Sequence, residues 1–378
     1  MKIAVNTRLL LENKLEGLGW FTYETFKRIT VQHPEHEFIF IFDRPYNDEF
    51  IFSKNVTPVV IPPQARHPLF FYLWFEFSIP YILKKTKADI FVSPDGYLSL
   101  SAKTPSLAVM HDLNFEHYPK DLPWIIRKYY AYFFPRFARK ANRIATVSEF
   151  SKQDIIQSYQ ISKDKIDVVY NGVNELYVPV SEALKESARK KYSDGKPYFV
   201  FVGALHSRKN IVNLLKAFDL FRKKINKEIK FILVGEKKWW TVEMEKTYCS
   251  MQFKNDVIFT GRLYNEELNL VIGSALAMTY VSTFEGFGIP ILEAYRCEVP
   301  VITSNVTSMP EVAVNGALYA DPFSYESICD AMENIVNNPM LCKKLIENGI
   351  HRSKDFSWQK TADKLWLSIE NTLRINQF

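Results

Sequence analysis

The chain has 378 residues, of which 47% are hydrophobic and 24% are charged, and its formal net charge is +6. This composition excludes a disordered protein, and the length favours two globular domains. The small positive charge gives no reason to expect a nucleic-acid partner. The four cysteines include no C-x-x-C pair. Zinc ligation and a disulfide framework are therefore not predicted, and reduced thiols in a cytoplasmic protein are expected.

Short apolar runs alternate with longer amphipathic segments along most of the chain. In the first half, strands are predicted at Ile3–Leu9, Phe38–Phe42, Val56–Ile61, Ile90–Val92, Ser106–Met110 and Ile144–Val147. The segments between them predict helices near Trp20–Val31, Pro68–Thr86, Pro123–Lys140 and Ser148–Tyr159. In the second half, strands are predicted at Tyr198–Val202, Lys230–Val234, Val257–Phe259, Ala275–Val281 and Pro300–Thr303. Continuous apolar strands separated by helices indicate parallel sheets covered on both faces, so the sequence predicts two doubly wound α/β units.

The joint between the two units is predicted within Tyr170–Lys196, where Asn171-Gly172 and Asp194-Gly195 interrupt the alternation. We therefore expect an N-terminal Rossmann-like domain over residues 1–175 and a second Rossmann-like domain over residues 176–356. Two such domains placed face to face leave a cleft at the carboxyl ends of both sheets, where open α/β sheets bind ligands.

The most specific motif runs from Thr283 to Glu293, with the sequence TFEGFGIPILE. A buried strand leads into its glycine-rich loop, and Pro290 suits the first position of a helix. We expect Glu285 just before that helix and Glu293 in its first turn, beside exposed backbone N–H groups that suit an anion or sugar hydroxyls. The alternative is that Glu293 only complements the helix dipole and that the glycines only form a turn. The segment as a whole favours a binding role.

A second motif, Val202–Asn210, follows the first strand of the second unit and has the sequence VGALHSRKN. Gly203 allows a tight turn, and the following helix has Asn210 as its candidate N-cap. Arg208 suits bidentate contact with phosphate oxygens, and Lys209 adds a point charge. The pair therefore predicts a diphosphate site that needs no metal. A solvated basic pair is the alternative.

Taken together, Arg208-Lys209 and Glu285-x7-Glu293 resemble the signature of the family-4 retaining glycosyltransferases, which have the GT-B fold. The resemblance implies that Arg208 and Lys209 hold the diphosphate of a nucleotide-sugar donor. It implies that Glu285 holds the transferred sugar and that Glu293 binds the ribose hydroxyls. The other donor-binding residues that it implies are Gly17, Gly19, Gly203, Arg262, Gly286, Phe287 and Gly288.

The same resemblance implies a division of labour between the domains. The donor is expected mainly on the C-terminal domain and the acceptor mainly on the N-terminal one. A C-terminal helix within residues 357–378 is expected to cross back to the N-terminal domain.

Two features of the N-terminal half belong to this resemblance. Gly17-Leu18-Gly19 opens the first helix, where the resemblance implies a close approach to the donor phosphates, and a simple turn is the alternative. His111 follows the strand Ser106–Met110 and so lies at the carboxyl edge of the first sheet. The resemblance implies a catalytic His111 that points at the transferred sugar. A histidine satisfied by Asp112 at a strand end is the alternative, and His117 is expected to be structural or on the surface.

The sequence contains no D-x-D triad, so no metal is predicted, and cations and helix ends are expected to stabilise the departing diphosphate. The resemblance implies a front-face displacement with retention of anomeric configuration. It favours GDP-mannose as the donor, with UDP-hexoses next, no cofactor, and a glycan or lipid-linked glycan as the acceptor. A sugar phosphorylase or synthase of the same fold remains an alternative, as does a non-catalytic nucleotide-sugar-binding protein.

Residues 123–143 combine seven aromatic side chains with six lysine and arginine side chains, and residues 70–77 are also rich in aromatics. One interpretation is contact with the inner face of the cell membrane, which suits a lipid-linked acceptor. The other is packing of both helices in the N-terminal core, which is favoured because Pro135 is expected to interrupt its helix. No window offers the ~20 uncharged apolar residues of a membrane span, so a cytoplasmic protein is expected in either case.

Overall fold

The computed structural model of the protein describes residues 1–374. The chain forms two compact units. The first contains Met1–Gly172 together with the segment from Trp358 onward, and the second contains Val173–Ser357. Residues 375–378, the end of the predicted C-terminal helix, lie outside the described residues.

The first unit is built on a parallel sheet whose central strands are buried and mostly apolar. These strands are β1 Lys2–Asn6, β2 Glu37–Phe42, β3 Val56–Val60, β4 Ile90–Ser93, β5 Ser106–Val109, β6 Arg143–Thr146 and β7 Ile166–Val168. Their order in the sheet is β3-β2-β1-β4-β5-β6-β7. The helices between them are α1 Gly17–Gln32, α2 Pro68–Leu73, α3 Ile79–Thr86, α4 Asn114–His117, α5 Trp124–Lys140 and α6 Glu149–Tyr159. A π-helical turn, Trp74–Ser78, joins α2 directly to α3.

The second unit is also built on a parallel sheet. Its strands are β8 Tyr198–Val202, β9 Lys230–Val234, β10 Val257–Gly261, β11 Ala277–Tyr280, β12 Val301–Ser304 and β13 Ala317–Ala320. Their order is β10-β9-β8-β11-β12-β13. The helices are α7 Glu182–Ser193, α8 Ile211–Lys224, α9 Val242–Ser250, α10 Asn265–Gly273, α11 Ile289–Arg296, α12 Met309–Ala313, α13 Tyr325–Asn337 and α14 Pro339–Ser353. Because the strand order reverses between β8 and β11, the loops that follow these strands diverge and leave room for a ligand.

The prediction of two doubly wound α/β units is therefore confirmed, although some element limits are wrong. The first strand ends at Asn6 rather than at Leu9. It ends there because Arg8 turns inward, where its Nε lies 2.7 Å from Oδ2 of the buried Asp95. The prediction that Pro135 interrupts its helix is also wrong. Pro135 lies inside α5, which continues to its predicted end. Buried side chains in the second half of this helix stabilise it there.

The last helix, α15 Trp358–Arg374, belongs to the first unit and packs on α1. The Trp366 ring stacks on His33 with a centroid distance of 3.6 Å. The Thr361 hydroxyl donates to the Tyr170 carbonyl oxygen at 2.8 Å. The prediction that the C-terminal helix returns to the N-terminal part of the chain is thus confirmed. Within residues 1–374, no helix is both long and apolar enough to cross a membrane.

Candidate active site

Two glycines shape the carboxyl edge of the second sheet. Gly203 follows β8 and Gly235 follows β9, and their φ angles are +146° and +152°. A Cβ atom on Gly235 would lie 1.9 Å from the Gly203 carbonyl oxygen, so no other residue fits there. The turn at Gly203 was predicted from the sequence, whereas Gly235 was missed. The sequence feature that could have indicated Gly235 was its position directly after a predicted strand.

Arg208 and Lys209 lie in a short 3-10 turn directly before α8 and converge on one carboxylate. The Lys209 Nζ donates to the Tyr280 hydroxyl at 2.6 Å and lies 2.5 Å from Oε1 of Glu285. The Arg208 Nη1 lies 3.0 Å from Oε2 of Glu285. The turn is fixed because the Thr283 amide donates to the Arg208 carbonyl oxygen at 2.9 Å. The structure thus brings together three predicted site residues from two distant motifs.

The Ser308 side chain stabilises the glycine-rich loop that follows β11. The Ser308 hydroxyl lies 2.9 Å from the Glu285 carbonyl oxygen and 3.0 Å from that of Phe287. Gly288, with φ +106°, turns the chain into α11. Gly286, Phe287 and Gly288 are all buried. That their backbone N–H groups bind an anion or sugar hydroxyls stays a prediction.

The charges of Lys209 and Arg208 determine the pKa of the Glu285 carboxyl. Burial alone would raise the pKa of Glu285, but the nearby charges of Lys209 and Arg208 outweigh it and lower the pKa to about 2. Burial, together with the charge of Glu285, raises the pKa of Tyr280 well above its usual value, so its hydroxyl stays neutral. At neutral pH Glu285 is therefore ionised, and its carboxylate lies against the Lys209 and Arg208 side chains. An arginine and a lysine side by side suit an anionic ligand.

Glu293 lies on α11 but not in its first turn, where it was predicted. It is the fifth residue of this helix, which begins at Ile289. Its carboxyl is half-buried and accepts a hydrogen bond from the hydroxyl of the buried Tyr177. Burial raises the pKa of Glu293 to about 7, against the effect of the Tyr177 hydrogen bond. The carboxyl is therefore about half protonated at neutral pH.

The prediction that the Asn210 side chain caps α8 is wrong. Asn210 precedes the helix, but its side chain makes no capping hydrogen bond. Its Nδ2 instead donates to the carbonyl oxygens of Val281, at 3.0 Å, and Pro322, at 2.6 Å. Asn210 has a left-handed φ of +63°, which asparagine tolerates better than most residues. It therefore ties the start of α8 to the loops after β11 and β13.

Arg262 is the predicted donor-binding residue on the outer strand of the second sheet. It follows β10 directly and its side chain is exposed. In the strand order, β10 lies two strands from β8. Arg262 is thus on the same sheet edge as Arg208 and Lys209.

Gly17 and Gly19 lie at the start of α1 in the first unit. A Cβ on Gly19 would lie 2.8 Å from the Leu9 carbonyl oxygen, whereas one on Gly17 would meet open space. Gly19 therefore allows the helix to begin close to the segment after β1. The expectation that this pair opens the first helix is confirmed, and its approach to the donor phosphates stays a prediction.

His111 lies just beyond β5 in the first unit, and its ring meets that of Phe21 edge-on at 4.8 Å. Its Nε2 lies 2.9 Å from the Pro94 carbonyl oxygen. Because a carbonyl oxygen only accepts, Nε2 carries the proton and Nδ1 is left as the acceptor nitrogen. Burial lowers the pKa of His111, so the imidazole is neutral at neutral pH.

The alternative in which the Asp112 side chain is the hydrogen-bond partner of His111 is wrong. The Asp112 Oδ1 accepts from the Asn114 amide at 3.0 Å and from its Nδ2 at 2.6 Å, which fixes the start of α4. His117 was expected to be structural or on the surface. Its Nε2 lies 2.9 Å from Oδ1 of Asp154.

The chain matches two families that together span most of its length. Residues 27–175 match the family described as Glycosyltransferase Family 4, and residues 183–352 match Glycosyl transferases group 1. The chain is 26% identical over 374 residues to the O-antigen chain mannosyltransferase B of Escherichia coli, covering 95% of this chain and 97% of that protein. It is 28% identical over 259 residues to the O-antigen chain mannosyltransferase RfbU of Salmonella typhimurium, covering 68% of each.

A solved structure with a similar fold is that of Anabaena HepE in complex with UDP-glucose. The TM-score is 0.75 at 15% sequence identity, and the match covers 98% of this chain and 100% of that one. At this identity, the likeness concerns the fold.

Proposed function

Because the chain belongs to glycosyltransferase family 4, we propose that it transfers a hexosyl group from a nucleotide-diphosphate sugar to a glycan or lipid-linked glycan, with retention of anomeric configuration. The convergence of Arg208, Lys209 and Glu285 at one sheet edge carries this proposal. Mannose is the preferred sugar, since two relatives of this chain are named mannosyltransferases. GDP-mannose is therefore the first donor to test, and UDP-hexoses follow.

The donor diphosphate is proposed to bind Arg208 and Lys209. Both side chains lie against the Glu285 carboxylate. A diphosphate brings further negative charge and charge-assisted hydrogen bonds, so the cations gain by turning toward it. Glu285 is then available to accept hydrogen bonds from the hydroxyls of the transferred sugar. Glu293 is proposed to accept those of the ribose.

The proposed reaction breaks the bond between the anomeric carbon and the donor phosphate oxygen. The acceptor hydroxyl oxygen forms its bond to the same face of that carbon, and its proton passes to the departing phosphate. Arg208 and Lys209 stabilise the charge that develops on the phosphate, which is the role that a divalent metal has in other transferases. His111 is proposed to act on the transferred sugar as an acceptor through Nδ1.

Thermal stabilisation by a panel of nucleotide sugars, measured in EDTA, tests donor binding. A true donor at a hundred times its Kd should stabilise the folded protein by about 2.7 kcal/mol. Lys209→Met should abolish most of this stabilisation and lower the turnover rate by roughly 100-fold or more. Lys216→Met is the matched control, because Lys216 is an exposed lysine on the adjoining helix α8. Stabilisation by no nucleotide sugar, or loss of activity in EDTA, would contradict the proposal.

The configuration of the product tests the reaction itself. Proton NMR of the first product should show the same anomeric configuration as the donor sugar. An inverted product would overturn the front-face mechanism. Release of a sugar phosphate that depends on added inorganic phosphate would instead identify a phosphorylase.

A further inference from the structure

Two neighbouring helical segments of the first unit expose large aromatic side chains. The segments are residues 68–86, which run from α2 through the π-helical turn into α3, and α5. Their exposed fractions lie between 41% and 67%, which is unusual for rings of this size. The exposed aromatic residues are Phe70 (43%), Tyr72 (41%), Phe77 (60%), Tyr81 (62%), Trp124 (67%) and Tyr132 (53%).

The π-helical turn aligns the aromatic residues of the first segment. Its wider turn places Tyr72 and Phe77, five residues apart, on the same side, and their ring centroids are 6.1 Å apart. Tyr81 follows Phe77 one α-helical turn later. Phe133 of α5 continues the surface, at 6.0 Å from Tyr72 and 4.9 Å from Tyr132. We call the surface formed by Tyr72, Phe77, Tyr81, Tyr132 and Phe133 the aromatic face.

Cations surround the aromatic face. Residues 68–87 and 124–140 contain eight lysines and arginines but only one acidic residue, Glu76. The Glu76 carboxylate is turned to the protein, where it accepts from the amides of Leu100 and Ser101. The Arg136 guanidinium lies 3.6 Å from the centroid of Tyr132, and the Lys85 Nζ lies 5.9 Å from that of Tyr81.

The second segment shows the same alternation of rings and charges along one stripe. On α5, four residues spaced one helical turn apart share a side of the helix. They are Trp124, Lys128, Tyr132 and Arg136, and all four are exposed. Aromatic rings thus alternate with cationic groups along about three turns of helix.

We propose that the aromatic face docks the protein on an anionic lipid membrane. Tyrosine and tryptophan rings prefer the headgroup region, and lysine and arginine side chains bind anionic headgroups beside them. If two copies paired through this face, their lysine and arginine side chains would repel each other. The one carboxylate in each copy is turned inward and would not offset this repulsion, so self-association is disfavoured. The membrane therefore complements both the apolar surface and its charge. This inference does not depend on the proposed donor chemistry.

Cosedimentation of the full chain with lipid vesicles tests the proposal. Vesicles of phosphatidylcholine mixed with phosphatidylglycerol should bind the protein at low salt, and vesicles of phosphatidylcholine alone should bind it much less. Added salt should weaken the binding because it screens the cations. Replacing both Lys85 and Arg136 by alanine should lower the partition coefficient roughly 30-fold, since each cation near the surface contributes roughly a fivefold factor.

A paired substitution separates docking from a general charge effect. Tyr81→Ser with Lys85→Glu removes an exposed ring and a cation one helical turn apart on α3. Val242→Ser with Lys246→Glu is the matched control, because these residues are exposed at the same spacing on α9 in the second unit. The first pair should abolish vesicle binding and the second should leave it unchanged. Both pairs should keep the melting temperature and the stabilisation by nucleotide sugars.

Three results would overturn the proposal. The first is no binding of the wild-type chain to anionic vesicles at low salt, which needs no variant. The second is equal loss of binding in the α3 pair and in the α9 pair. The third is a dimer in sedimentation velocity that the α3 pair dissociates, because the face would then be an interface between copies of the chain.

Discussion

Replacing Glu293 by glutamine is expected to stabilise the ligand-free protein at alkaline pH. Burial raises the pKa of the Glu293 carboxyl from 4.5 to about 7. Between these two values the folded protein holds a proton that the unfolded chain has released. The stability contributed by this group is therefore fully present below pH 4.5 and is lost as the pH rises through about 7.

The size of the effect follows from the two pKa values. Full ionisation of a carboxyl whose pKa is raised from 4.5 to about 7 costs about 3 kcal/mol. Glu293 is half-buried, and solvent screening reduces this to about 2 kcal/mol between about pH 5 and about pH 8. Glutamine has nearly the same shape, stays neutral throughout, and its carbonyl oxygen can still accept from Tyr177. The variant should lack this part of the pH dependence.

The assay is the melting temperature of the wild type and of Glu293→Gln across that pH range. The difference between the two proteins should widen by roughly 4–8 °C from the acidic to the alkaline end. Glu347→Gln, which changes an exposed carboxyl on α14, is the control and should show a constant difference. A melting-temperature difference for Glu293→Gln that is the same at both ends would refute the reasoning.

Three further substitutions test the framework of the two units. Gly235→Ala should cost several kcal/mol of unfolding free energy, because its Cβ would lie 1.9 Å from the Gly203 carbonyl oxygen; a melting temperature within a degree of wild type would contradict this. Asn210→Ala should cost roughly 2–4 kcal/mol in urea unfolding, since two backbone carbonyl oxygens lose their donor. Arg8→Met should cost roughly 3–5 kcal/mol by leaving the buried Asp95 unpaired. Adding Asp95→Asn should restore part of that loss, and no restoration would argue against an unpaired charge as the cause.

Most of the fold could be predicted because the central strands are continuous apolar runs. Such runs are recognisable in a parallel sheet that is covered on both faces. The edge strands β7 and β13 were missed. β7 has only three residues, and β13 is Ala317–Ala320, whose two alanines have low strand propensity. In β7, Asp167 also interrupts the apolar pattern. Strands with so weak a local pattern are recognisable only through the pairing with their neighbours, which the local sequence does not show.

The charged members of the candidate site were predictable, but their surroundings were not. Arg208, Lys209 and Glu285 were found from their motifs. The two tyrosines that contact this site were missed: Tyr280 lies in a strand that looked like plain core, and Tyr177 lies in the predicted joint. The burial of Lys209 was missed too, because a basic pair in a loop usually indicates solvent exposure. Each of these features depends on contacts between residues far apart in the sequence.

The first unit is not continuous along the chain, since α15 joins it only after the whole second unit. Synthesis on the ribosome proceeds from the amino end, so Val173–Ser357 has emerged before α15 is complete. The second unit can then finish folding while α1 still lacks the helix that covers it, leaving apolar surface open to chaperones or to aggregation. A destabilising change in α15, such as the loss of the buried Trp366 ring, should therefore lower the yield of native protein during translation more than it alters the second unit once formed.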